Sequence, residues 1–172
     1  MTADSLLGQA LVEEATKKSG LIWVRASGAA RALWHVWHEG AALLVGGPGE
    51  QPLPDGLADG ARAGVTVRSK DKGGRIVAWT AEVAELAPHS EAWEAAVAEL
   101  KGKRLNAPDA ERLTERWAAD CRVVRLTPVT HTTDLPDDSL AARPLDTPAI
   151  TREPVPAGLP RLLLRKKRRR AG

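Results

Sequence analysis

The chain has a single cysteine, Cys121, which excludes an intramolecular disulfide and any cysteine-rich zinc site. Tyrosine and phenylalanine are absent, so six tryptophans supply all the aromatic surface. No apolar run approaches the ~20 residues needed to span a bilayer, and Met1-Thr2-Ala3-Asp4 opens without the basic and apolar blocks of a secretory leader. A soluble cytoplasmic protein is the expectation. Patterns that carry chemistry are equally scarce. No Gly-x-Ser-x-Gly elbow offers a hydrolase nucleophile, and Gly46 to Pro54 has neither the lysine and hydroxyl of a Walker A loop nor the glycine spacing of a dinucleotide fingerprint. His35 and His38 fall on opposite faces of a regular strand, and His89 and His131 read as loop residues without partners, so no metal site is expected. A lone cysteine entering a strand reads as a packed thiol, and no catalytic residue can be named.

What the chain does have is a sharply located charge. Of 25 basic residues, seven lie in 161–172, where there is no acid; the 18 that remain stand against 22 acidic residues, a net charge of minus 4. The globular part is therefore mildly acidic and the high pI belongs to a tail. That tail, Arg161 to Arg170, suits nucleic acid, an anionic membrane or an acidic partner through counterion release, or simply keeps the chain soluble. A length of 172 residues with 43% hydrophobic residues supports one core, predicted over residues 1–128, followed by a disordered proline-rich linker and basic tail over 129–172.

Hydrophobic periodicity orders the first 128 residues. Residues 4–18 read as a helix with Asp4 as N-cap, and Leu21 to Ala26 as a first strand. The runs Ala32 to Trp37 and Ala41 to Val45 meet at His38-Glu39-Gly40, a short hairpin. Ala63 to Ser69 and Arg75 to Leu86 flank Asp71-Lys72-Gly73-Gly74, a second hairpin. Ser90 is a plausible cap for a helix whose apolar face is Trp93, Ala96, Val97 and Leu100. Asn106-Ala107-Pro108 signals a third helix with Leu113 and Trp117 buried, and Cys121 to Leu126 a closing strand ended by Pro128. The apolar residues on both faces of Leu33 to Trp37 call for a second covering surface, which predicts a homodimer.

Strand alternation then separates packing residues from available ones. Val65 and Val67 share one face and Thr66, Arg68 and Lys70 the other, so two cations converge, either as a solvated strand end or as a grip for phosphate or carboxylate. Val77, Trp79, Ala81 and Val83 form the packing face of the partner strand. Gly46 to Pro54 reads as a rigid connection between strands, or as a loop that lets a ligand approach the backbone, and Glu50-Gln51 brings hydrogen-bonding groups that no substrate claims.

The order helix, strand, two hairpins, two helices and closing strand, carried by Leu33 to Val45, Val65 to Asp71, Arg75 to Leu86 and Arg125-Leu126-Thr127-Pro128, resembles the pyridoxamine 5′-phosphate oxidase-like, flavin-binding split-barrel family over about residues 4–128. The resemblance implies an α+β fold, an antiparallel split β-barrel of about six strands with flanking helices. It also implies a homodimer with FMN or a deazaflavin at the subunit interface, its phosphate on basic strand residues. By position these are Arg68 and Lys70, with Ser69 adding a hydroxyl or amide. Members of such families also bind haem or carry no cofactor, and the proline-rich Gly46 to Pro52, with its acid, departs from the usual polar or basic stretch. Two functions follow: a flavoprotein oxidoreductase of unknown substrate, or a non-enzymatic interaction module whose basic tail docks on a polyanion.

Overall fold

The computed structural model describes residues 3–68, 75–104 and 109–131; Ser69, Lys70 and the predicted linker and basic tail from 132 onward lie outside the described residues. The elements run α1 (Ala3–Lys18), β1 (Leu21–Arg25), β2 (Arg31–Trp34), β3 (Val36–His38), β4 (Ala41–Gly46), β5 (Arg62–Arg68), β6 (Arg75–Glu85), α2 (Glu91–Lys103), α3 (Leu113–Asp120) and β7 (Arg122–His131). The class is α+β, as expected, with seven strands among the described residues where the sequence reads about six. The extra strand arises because the run predicted as one strand over 32–37 breaks at His35.

That break closes the barrel. All neighbouring strands pair antiparallel in the order β2-β1-β5-β6-β7-β4-β3, so β2 and β3 are the two edges of the sheet, yet only His35 separates them in sequence. A sheet whose edges are joined by one residue must curl until they meet. Curling buries the apolar face of every strand against itself: Ile22, Val24, Leu33, Leu44, Val65, Val67, Trp79 and Leu126 fill the interior, with Val12 of α1 packed among them. The closed arrangement also removes most of the unpaired edge that would template aggregation.

Local chemistry explains the connections. Glu39 and Gly40 both adopt positive φ, 45° and 73°, the requirement of a two-residue type I′ hairpin between β3 and β4. Ser90 Oγ accepts the Trp93 N–H at 3.2 Å and starts α2 as expected. The helix before it begins at Ala3, so Asp4 lies within the first turn and is not its cap. α3 begins at Leu113, after a turn in which the Arg112 N–H bonds Asp109 O, and not near Asn106. The Asp109 carboxylate is engaged by Arg116 and caps nothing.

The closing strand runs past Pro128 to His131, which corrects both the expected strand end and the placement of His131 in a loop. Proline is tolerated because the register shifts there: Ala81 pairs with Pro128 while Thr80 pairs with Thr130, leaving Val129 as the extra residue of a bulge.

A second core lies outside the barrel. α2 and α3 cover the outward faces of β3, β4 and β7, packing Trp93, Leu100, Leu113 and Trp117 on Val36, Leu43, Val45 and Val123. β4 is consequently buried at every residue. This layer also answers the two-faced run 33–37: Leu33 and Trp37 pack toward the barrel, Trp34 and Val36 toward the helices. The surface thought to demand a second subunit is covered within the chain.

His35 seals the seam. Its Nε2 lies 2.9 Å from Thr16 O, so Nε2 carries the proton and donates, while Nδ1 and the nearby Thr16 Oγ1 are buried without a hydrogen-bond partner. Burial pushes the imidazole below its ordinary value of 6.5, against a smaller upward pull from the bond to Thr16. In the unfolded chain His35 takes up a proton as pH falls through 6.5; in the folded protein it resists until lower pH. Its contribution to stability is therefore present above that value and is lost as pH falls toward the folded pKa. Thermal melts from pH 7.5 to 5 are expected to fall more steeply for wild type than for His35→Gln, and parallel profiles would refute the assignment.

Candidate functional site

The outward residues of β1, β5 and β6 belong to neither core. Along β5, Ala63, Val65 and Val67 point inward while Arg62, Gly64, Thr66 and Arg68 point outward, the alternation expected from the sequence. Pairing brings small residues side by side on that outward face: Gly64 lies opposite Thr80, and Thr66 lies between Ala78 on β6 and Trp23 on β1. Small side chains among larger ones leave a hollow. A cavity of about 450 Å³ sits here, floored by Gly64, Thr66, Ala78 and Thr80, walled by Trp23 and Arg25, and edged by Gly28 to Ala30 and Thr130. Its volume lies within the range of small-molecule sites.

Arg68 is not among the residues that line this cavity but reaches Trp23, one of its walls. It is one same-face step from Thr66, and its guanidinium carbon lies over the Trp23 ring, 4.7 Å from the centroid. Because Trp23 pairs with Thr66, Arg68 is its diagonal neighbour, within reach of a long side chain. The register shifts between Val67 and Arg68, and Arg68 then pairs with Arg75 across the hairpin. Of the three residues singled out for a phosphate, the structure places Arg68 on this face; Ser69 and Lys70 lie outside the described residues.

Trp23 and Arg25 escaped the sequence reading, because the β1–β5 pairing joins strands about 40 residues apart and no local pattern announces it.

The opposite side of the molecule explains Glu50-Gln51. The Glu50 carboxylate is fully buried and accepts hydrogen bonds from Arg104 Nε at 3.0 Å, Arg116 at 2.9 Å and the Trp117 indole N–H at 3.1 Å. Gln51 closes a bridge at the end of β2: its Oε1 accepts the Trp34 N–H at 2.8 Å and its Nε2 donates to Trp34 O at 2.9 Å. The Gly46 to Pro54 segment is thus a tied connection. It lies so close to α3 that a Cβ on Gly47 would sit 2.9 Å from Asp120 O. Asp109 and then Glu50 hold Arg116 firmly in its charged form.

Cys121 caps the end of α3, 3.7 Å from Pro48 O. Burial pushes its thiol above the ordinary value, with Arg116 pulling weakly the other way, so it is protonated at neutral pH. His38 lies 3.8 Å from Glu39 and 3.9 Å from Glu99. Among the described residues, no group of three His, Cys, Asp or Glu side chains could hold a metal ion.

No protein-family model matches the chain, and no curated protein matches it. Solved structures do. Conserved hypothetical protein Rv2991 from Mycobacterium tuberculosis superposes with a TM-score of 0.54 at 12% identity, over 76% of this chain and 86% of that one. HutZ, the heme storage protein from Vibrio cholerae, superposes with a TM-score of 0.50 at 13% identity, over 69% of this chain and 88% of that one. The likeness shows the fold, a split barrel.

Proposed function

We propose that this protein is a flavin-binding split barrel that works as an oxidoreductase, holding FMN on the outward face of β1, β5 and β6 with its phosphate on Arg68. The observation that carries this reading is the cavity on this face, walled by the Trp23 over which Arg68 lies. Its floor of Gly64, Thr66, Ala78 and Thr80 leaves room for a flat ring, and the Trp23 indole stands beside it. Hydroxyls of Thr66, Thr80 and Thr130 can bond the polar edge of such a ring, while Arg25 and Arg68 offer guanidinium groups to a dianionic phosphate. These residues fit the cofactor. A bound flavin supplies the hydride chemistry, and the protein supplies orientation and electrostatics. A deazaflavin shares the flat ring and the phosphate and would use the same groups.

A second copy of the chain covering this outward face would complete the site as a homodimer. The test is a titration of the purified full-length chain with FMN, followed by quenching of flavin fluorescence. Saturable binding and a yellow protein from the host are the expected results. A colourless protein that leaves FMN fluorescence unchanged would overturn the reading in favour of an interaction module.

A further inference from the structure

Arg68 is a long, exposed side chain at the end of a strand, where a guanidinium normally samples many rotamers. Here it is held over the Trp23 indole, 4.7 Å from the ring centroid, across the β1–β5 pair. Stacking on a ring occupies one face of the guanidinium and leaves its in-plane N–H donors free, and those are the donors that form two parallel bonds to a phosphate. The same residue walls the cavity, so Trp23 touches both Arg68 and that space. Fixing the fork before the ligand arrives removes rotamer entropy that binding would otherwise have to overcome.

We infer that Trp23 is a positioning residue: it holds Arg68 ready for the phosphate of the bound cofactor. The inference rests on the flavin reading above and assigns a separate part of it, since Trp23 acts on the phosphate through Arg68 and not on the ring. Riboflavin, which has the ring of FMN without the phosphate, separates the two effects.

The experiment compares FMN and riboflavin titrations of wild type, Trp23→Leu, Trp23→Phe and Arg68→Ala, and of Trp23→Leu combined with Arg68→Ala, with thermal melts alongside. An exposed cation–π contact corresponds to about a threefold to fivefold effect. Trp23→Leu is expected to weaken FMN by that factor and leave riboflavin unchanged, with Trp23→Phe in between because its smaller ring holds a cation less well. Once Arg68 is alanine, Trp23→Leu is expected to cost no further FMN affinity. Equal losses for FMN and riboflavin, or an additional loss in the Arg68→Ala background, would reduce Trp23 to a wall of the cavity and overturn the inference while leaving the flavin reading standing. Wild type that binds neither compound would overturn both. If Trp23→Leu melts early, Trp23→Phe decides by the same ratio.

Discussion

Glu50→Ala is expected to destabilise the protein by about 3 kcal/mol or more, the cost of breaking a buried ion pair from one side. The carboxylate is fully shielded and gathers two guanidinium groups and an indole N–H, while Arg104 and Arg116 are themselves mostly covered, at 25% and 21% exposure. Removing the acid takes away the anion that Arg104 and Arg116 share, leaving Arg116 to Asp109, and it releases the loop that tucks Gly47 against the end of α3. For a domain of this size the loss corresponds to a fall in Tm of about 10 °C. Glu50→Gln keeps an acceptor for Trp117 and loses the charge, so it is expected to fall between wild type and alanine. Chemical denaturation with a loss below about 1 kcal/mol for Glu50→Ala would show that the network holds the loop without stabilising the fold.

Arg68→Ala is expected to lower FMN affinity about tenfold or more and to leave the melting temperature almost unchanged. Each hydrogen bond from a charged donor to phosphate contributes about 1.5–3 kcal/mol, and tenfold corresponds to about 1.4 kcal/mol. Stability is spared because Arg68 is exposed and the packing of β5 belongs to Ala63, Val65 and Val67. Riboflavin binding is expected to persist. Because the site is open to solvent, the difference between wild type and variant narrows at high ionic strength. Equal FMN affinities in the two proteins at low salt would remove Arg68 from the site. A loss shared by riboflavin would mean that Arg68 touches the ring and not the phosphate.

The sequence by itself determined the parts of this protein that depend on near neighbours. Period-two alternation assigned Val65, Val67, Val77 and Trp79 to the core, because side chains of a strand alternate faces whatever lies beyond it. Helical spacing found Trp93, Ala96, Val97 and Leu100, and Ser90 marked the start of their helix. Where one residue carried two possible meanings, local pattern went astray. His35 interrupts what reads as a continuous apolar strand, and Pro128 reads as an end although a bulge lets the strand pass through it. Tertiary structure alone decided what lies between distant segments. It gave Glu50 its three partners from α3 and the C-cap of α2, covered the second face of Leu33 to Trp37 with the chain's own helices, and set Trp23 beneath Arg68. The reason is physical: periodicity records which face a side chain takes, whereas curling a sheet into a barrel decides which faces meet, and that depends on pairing between strands the sequence keeps far apart.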